Sequence, residues 1–220
     1  FRNKRNWLNG LYEKILLGDI IQRNKVKNEM ALRLTMKRLA ENVMQPISYN
    51  RVANLIRSTG TSIAVSSVSD YVRYAQEACV LFSLENYASK FVEKETVKKH
   101  YFVDNGLLSI FLFNGDTALL ENLCAIHLRK QYGDELCFYN KNVEVDFLIA
   151  EEGYAVQASY SIYGEGMQET FERETKALKQ LGAFLPLKRM VIVTYDEEGT
   201  VPSDNGKQIE VIPAWKWLLE

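Results

Sequence analysis

The chain has 220 residues, 27 Lys/Arg against 28 Asp/Glu, and 47% hydrophobic residues, which are values of a folded globular protein with one large or two ordinary domains. No apolar run approaches the roughly 18 residues of a membrane-spanning helix, and no basic-then-apolar leader is present, so a membrane partner and secretion are excluded from the expectations. A cytoplasmic protein is expected. The first residues, "FRNKRNW", lack Met, which reads as a fragment or a processed product. Cys79, Cys124 and Cys137 are odd in number and far apart, signalling neither a disulfide framework nor a zinc site, and are expected to be buried thiols. Charge is uneven along the chain. Residues 1 to 38 hold ten Lys/Arg against three Asp/Glu, or +7, leaving −8 for the remainder. Such a segment suits a solvated helix face, or a docking surface for an acidic partner or for phosphates.

Taken in chain order, "LYEKILLGDII" and "MALRLTMKRLAENVM" repeat apolar residues every three or four positions, which predicts two helices. "QPIS" then offers a cap for a helix over "YNRVANLIRS", and "TGTS" turns the chain into a further helix, "VSSVSDYVRYAQEA". Two strand-like runs follow, "CVLFSLENYA" and "KKHYFVD", separated by a polar loop. Helices followed by a hairpin are the order of a winged helix. Asp104 is placed to cap the short helix "NGLLSIFL", and "TALLENLCAIHLRKQYG" predicts a longer amphipathic one. Strands "LCFYN", "VEVDFLIA" and "YAVQASYS" come next, then a helix over residues 167 to 182, a strand "KRMVIVTY", a polar loop through "DEEGTVPSDNGK", a strand "IEVIP" and the terminal "AWKWLLE". The fold class expected is therefore α/β, with a helical winged-helix domain over 1–104 and a mixed α/β domain over 105–220.

Three polar positions give that second domain a candidate chemistry. A restriction-type nuclease core carries a Glu on its first helix, an Asp opening its second strand and Glu/Gln-x-Lys on its third, because hard Mg²⁺ takes oxygen ligands while a Lys positions the attacking water. Here the order is Glu121, Asp146 and Gln157, the expected metal ligands. The Lys position is Ser159. With the ammonium gone and one ligand neutral, the site reads as vestigial, and only Lys176 or Lys179 on the following helix is placed to supply a migrated ammonium. No cofactor is expected unless the site is active, in which case it would be Mg²⁺. The plain alternative is that Asp146 is an ordinary polar residue of an alternating strand, capping a turn or pairing with Lys141.

For nucleic acid, the expected reading helix offers Ser66, Ser67, Ser69 and Arg73, against Asp70 and Glu77. The hairpin adds Lys90, Lys94, Lys98 and Lys99, diluted by Glu93 and Glu95. Lys98 and Lys99 are the hairpin residues expected at phosphates. His100 and His127 are expected in packing or at the surface and not on a metal, Tyr12, Tyr71, Tyr101 and Phe102 in the core, and Trp215 with Trp217 is expected to close a sheet edge.

Several stretches in order, "YEKILLGDIIQRNKV", "LAENVMQPISYNRVANLI", "SVSDYVRYAQEACVLF", "KKHYFVDNGL", "LLENLCAIHLRK", "EVDFLI" and "YAVQASYS", resemble the C-terminal region that follows the ATPase module in a bacterial and archaeal family of AAA-type ATP-binding proteins. That region is itself a domain of unknown function. The resemblance implies a winged helix joined to a PD-(D/E)XK-nuclease-like domain, with the ATPase domain of the same protein upstream as partner. This chain has no G-x-x-x-x-G-K-[ST] loop, so ATP binding is not assigned to it. Where family members carry "E-V-K", this chain has "Q-A-S". The expected function is a C-terminal binding and regulatory module with an inactive nuclease-like fold that contacts a protein partner or DNA; the alternative is a Mg²⁺-dependent DNA endonuclease with a migrated Lys.

Overall fold

The computed structural model describes residues 3–203 and 206–220, and these form two compact units, Phe1–Ser83 with Glu95–Gly115, and Leu84–Lys94 with Asp116–Glu220. Residues 105 to 115 thus group with the first unit, and residues 84 to 94 with the second.

The first unit opens with α1 (Lys4–Lys14), capped by Asn3, whose side chain accepts from the Asn6 N–H. The helix continues without a break into a π-helical stretch, Ile15–Gln22, that buries Leu16 and Ile20. Asn24, Lys25 and Val26 then turn the chain: the Val26 N–H reaches back to the Ile21 carbonyl and Lys25 takes a φ of 51°. A left-handed Lys is unusual here, since Gly would hold that conformation at roughly 1 kcal/mol less cost. Asn28 caps α2 (Glu29–Glu41), which buries Ala31, Leu32, Thr35, Met36, Leu39 and Ala40 on one stripe. After the short strand β1 (Ile47–Ser48), Ser48 caps α3 (Tyr49–Arg57), and α4 (Val65–Glu77) buries Val68, Tyr71, Val72 and Ala75, the three-and-four spacing of an amphipathic helix. Cys79 closes α4 at a φ of 53° and is exposed, so the expectation of three buried thiols fails at the residue that the left-handed turn carries outward; Cys124 is buried and Cys137 partly so.

Strand β2 (Leu81–Leu84), helix α5 (Phe91–Thr96) and strand β3 (Val97–Phe102) follow, and the three-stranded sheet has the order β1-β3-β2. Helix α5 stands where a loop was expected; it buries none of its residues, so it left no apolar period to read. Asp104 caps α6 (Asn105–Ser109) by accepting from the Leu107 N–H at 2.9 Å.

His100 is buried in β3 with Nδ1 2.8 Å from the Ser83 hydroxyl, which also accepts from Gln76, while its Nε2 has no hydrogen-bond partner among the described residues. With Gln76 donating to the hydroxyl, Ser83 donates onward to Nδ1, and the imidazole is held neutral; burial, then the charge of Lys98, pushes its pKa down to about 4 from 6.5. Between those values the unfolded chain takes up a proton that the folded chain refuses. Stability is thus expected to be whole above about pH 6.5 and to fall as pH drops toward 4, by up to about 3 kcal/mol from this residue. Urea unfolding at about pH 7 and about pH 4.5 checks this: His100→Phe, which keeps the stack on Tyr49, should lose distinctly less stability across the interval than the parent.

The second unit is built on a six-stranded mixed sheet of order β4-β5-β6-β7-β9-β8. Helix α7 (Asp116–Tyr132) runs through a 3₁₀ turn into β4 (Leu136–Asn140), β5 (Glu144–Ile149) and β6 (Tyr154–Ala158), an antiparallel trio. Helix α8 (Gln168–Phe184) then carries the chain to β7 (Arg189–Thr194), parallel to β6, and β9 (Gln208–Pro213) lies parallel to β7. Between them the expected polar loop holds a strand, β8 (Gly199–Pro202), antiparallel to β9. Only Val201 of its four residues is buried, too little for alternation to show.

One face of this sheet carries Val145, Leu148, Ala155, Met190, Ile192 and Val211 into a core with Ala177, Leu178 and Leu181 of α8. On the other face α9 (Ala214–Trp217) places Trp217 against Tyr154, its Nε1 donating to the Tyr154 hydroxyl at 2.8 Å, and the ring of His127 from α7 lies 4.7 Å from the indole. Trp217 therefore covers a face and not an edge, and Trp215 is exposed. The β4 edge is covered by residues 85 to 87: the Phe138 N–H donates to the Glu85 carbonyl, the Tyr87 N–H to Phe138, and the Asn86 side chain bonds both backbone groups of Asn140.

Candidate functional site

Strands β5 and β6 pair through Ile149↔Tyr154, Leu148↔Ala155 and Phe147↔Val156, and the ladder stops there. On the other side of β5 the register shifts: the three-residue step from Leu148 to Val145 lies opposite the two-residue step from Cys137 to Tyr139. One extra residue is thus accommodated around Asp146 and Phe147, a β-bulge, and Val145 and Leu148 reach the same core although three apart.

Beyond the last ladder pair, side chains take over the work of the backbone. The Asp146 N–H donates to Gln157 Oε1 at 2.7 Å, and the Ala158 N–H donates to Asp146 Oδ2 at 3.1 Å. Gln157 Nε2 in turn donates to the Glu144 carbonyl at 3.2 Å and to Glu174 Oε2 at 2.8 Å. Each of the two residues thereby satisfies its neighbour's strand with its own side chain, a reciprocal clasp that holds the strand ends together where they part. Glu174, on α8, is buried; Arg173 grips its second oxygen through Nε at 3.1 Å and Nη2 at 2.6 Å. Burial, followed by the charge of Asp146, raises the Glu174 carboxyl above the usual range, and Arg173 opposes the shift.

Glu121 is buried on α7. Its charge and that of Asp146 act together on the Cys124 thiol, which burial first and these two carboxylates next push well above the ordinary range. The structure brings Asp146 to Gln157 through the clasp. Residues alternate along β6, so Gln157 lies on the α8 face with Glu174, whereas Tyr154 faces α7 and Trp217. Among the described residues no group of three or more His, Cys, Asp or Glu has the geometry to hold a metal ion. The Gln157 oxygen accepts from the Asp146 N–H, whereas Mg²⁺ takes several convergent oxygens.

The remaining candidates are likewise placed. Ser159 continues β6, its N–H donating to the Val193 carbonyl and its hydroxyl to the Ser161 carbonyl. Lys176 is exposed on α8, and Lys179 lines a surface cavity with Gly182, Leu187, Met190 and Lys207 that includes none of the clasp residues. The cation beside the cluster is Arg173. Sequence reasoning missed Glu174 and Arg173, although Glu174 falls on the apolar stripe of Phe171, Leu178 and Leu181, where a carboxylate asks for a partner.

On α4, Ser66, Ser69 and Arg73 are exposed and Ser67 partly so. Arg73 is held between Asp70 at 3.2 Å and Glu77 at 2.9 Å and stacks over Tyr74, which spends its charge within the helix. Lys98 is mostly covered and lies 3.8 Å from Glu95. Lys99 is fully buried, because the end of β3 is covered on both sides; that removes it from the surface set expected to meet phosphates.

The fold and cluster define a mixed α/β protein whose central polar residues knit strands together. The chain belongs to the family of a domain of unknown function, DUF8612, whose profile matches residues 2–118. It is similar to the uncharacterized protein MJ1544 of Methanocaldococcus jannaschii, 28% identical over 225 residues, covering 98% of this chain and 50% of that protein. An uncharacterized protein of Haemophilus influenzae is 26% identical over 166 residues, covering 72% of this chain and 41% of its own. The chain thus spans half or less of the length of these relatives. No solved structure matches it. No helix among the described residues is long and apolar enough to cross a membrane.

Proposed function

We propose that this chain is a binding and regulatory module of a larger ATPase, made of a winged helix followed by a nuclease-like domain that does not cut. The observation that carries the reading is the clasp: the side chains at the second- and third-strand positions of a nuclease core, Asp146 and Gln157, hydrogen-bond each other's strands, and the ammonium position is Ser159. The helix order α2, α3, α4 and the strand order β1-β3-β2 support the winged helix. The helix α7, three antiparallel strands, α8 and parallel β7 support the nuclease-like frame, and the relatives' greater length leaves room for an ATPase domain elsewhere in the protein. Fold likeness alone assigns no chemistry.

The test is direct. Plasmid incubated with the protein and Mg²⁺ or Mn²⁺ should stay intact, and calorimetry should show no saturable metal binding; cleavage that Asp146→Ala abolishes would establish the endonuclease instead. The docking part is checked by adding, as a separate chain, the part of a full-length relative that this chain does not match, where ATP hydrolysis by that part and its association with this chain are expected and the absence of either would remove the regulatory reading.

A further inference from the structure

The first unit holds 15 Lys/Arg against 8 Asp/Glu, a net +7, and the second 12 against 20, a net −8. Within the first unit the acids are largely spoken for. Glu13 and Glu29 meet Arg33, Glu41 meets Lys37 and Arg38, Asp70 and Glu77 meet Arg73, and Glu95 meets Lys98. The surplus charge falls on other side chains, and three of them, Arg23, Lys25 and Lys27, occupy alternate positions from the helix end through the turn that follows it, all exposed and none ion-paired among the described residues.

That turn is fastened beside α4. Asn28 Nδ2 donates to the Ser62 carbonyl at 3.1 Å in the loop before α4, and the Tyr71 hydroxyl donates to the Asn28 carbonyl at 3.4 Å from within it. The adjoining helix presents Ser66, Ser67 and Ser69, with Val65 its only exposed large apolar residue. The middle cation, Lys25, sits at a left-handed position that Gly would fill more easily.

We propose that Arg23, Lys25 and Lys27 form a contact for the sugar-phosphate backbone of double-stranded nucleic acid running along the N-terminal half of α4. Three unneutralised cations on a fixed turn supply the salt-dependent attraction, and the flanking hydroxyls supply neutral donors of the kind that phosphate oxygens accept. An apolar or aromatic helix face would suit a protein or lipid ligand better. Its cations differ from those the sequence pattern singles out, while the hydroxyls are shared: Arg73 and Lys98 are already paired and Lys99 is buried. This inference goes beyond the docking role proposed above and requires neither metal nor the ATPase region.

Fluorescence anisotropy of a short labelled DNA duplex, titrated with the whole 220-residue chain over a series of salt concentrations, tests it. Binding is expected at low salt and should weaken linearly on a log–log plot. Arg23→Gln/Lys25→Gln/Lys27→Gln should flatten that slope by about 2.7, at roughly 0.9 for each phosphate no longer neutralised, and Lys27→Gln alone by about 0.9. Arg73→Gln should leave it unchanged. Absence of duplex binding at the lowest salt, or a slope that neither variant alters, overturns the proposal. So does preferential binding of polyglutamate or of phosphatidylserine vesicles when each competes with the duplex. Thermal melting of both variants at the parent's temperature is expected, as the side chains are exposed.

Discussion

Gln157→Glu is expected to destabilise the second unit by about 3–5 kcal/mol at pH 8, the penalty for leaving a buried charge uncompensated. Gln157 Nε2 donates to Glu174 and to the Glu144 carbonyl. A carboxylate of the same shape would donate to neither and would face the acid of Glu174 at the present 2.8 Å. Asp146, whose charge already raises the Glu174 carboxyl, adds to the repulsion. The new carboxyl would hold its proton more tightly folded than unfolded. Its cost is therefore full above the raised folded value, shrinks as pH falls and vanishes below the ordinary Glu value of about 4.3. Urea unfolding at about pH 5 and about pH 8 reads the difference. Pairing the change with Glu174→Gln returns an amide donor to the pair and should recover much of the loss. A saturable gain in stability from Mg²⁺ in the single variant would instead show that the frame can still gather a cation.

Trp217→Ala is expected to cost about 3–5 kcal/mol in the same unit, the range for truncating a buried large aromatic. The indole is 2% exposed, lies against His127 and gives its N–H to the Tyr154 hydroxyl. Removing it opens a cavity between α7, α9 and β6 and leaves that hydroxyl without its donor. Trp217→Phe keeps most of the buried area and loses the hydrogen bond, so roughly 1–3 kcal/mol is expected there. Unfolding midpoints in urea for the two variants separate packing from hydrogen bonding. A small loss for Trp217→Ala would mean that α9 is not docked on the sheet.

Much of the architecture was legible in the sequence because the chain buries long, regular stripes. Helices α2, α4 and α8 show their apolar spacing plainly, and Val191, Ile192 and Val193 of β7, buried between strands on both sides, read as a continuous apolar run. What escaped notice lacks such a stripe. Helix α5 buries nothing, and β8 buries one residue. The cluster was half legible for a different reason. Asp146 and Gln157 are hydrogen-bonded neighbours, but the bulge in β5 breaks the strict two-residue period on which face assignments rest, and the alternation of β6 sends Gln157 toward Glu174 of α8. Composition also misled at Lys99, where a charged residue was read as a surface residue and the strand covers it.

The path of the chain has a practical consequence. Because residues 84–94 leave the first unit to edge β4, and 95–115 come back before α7 begins, the backbone passes between the units three times. No single scissile bond can release either unit entire: a cut near 83 strips β3 and α6 from the first, and a cut near 115 strips the edging strip from the second. Limited proteolysis should accordingly yield nicked chains that stay associated until denatured, and attempts to express either half alone will succeed only if the order of segments is first rearranged.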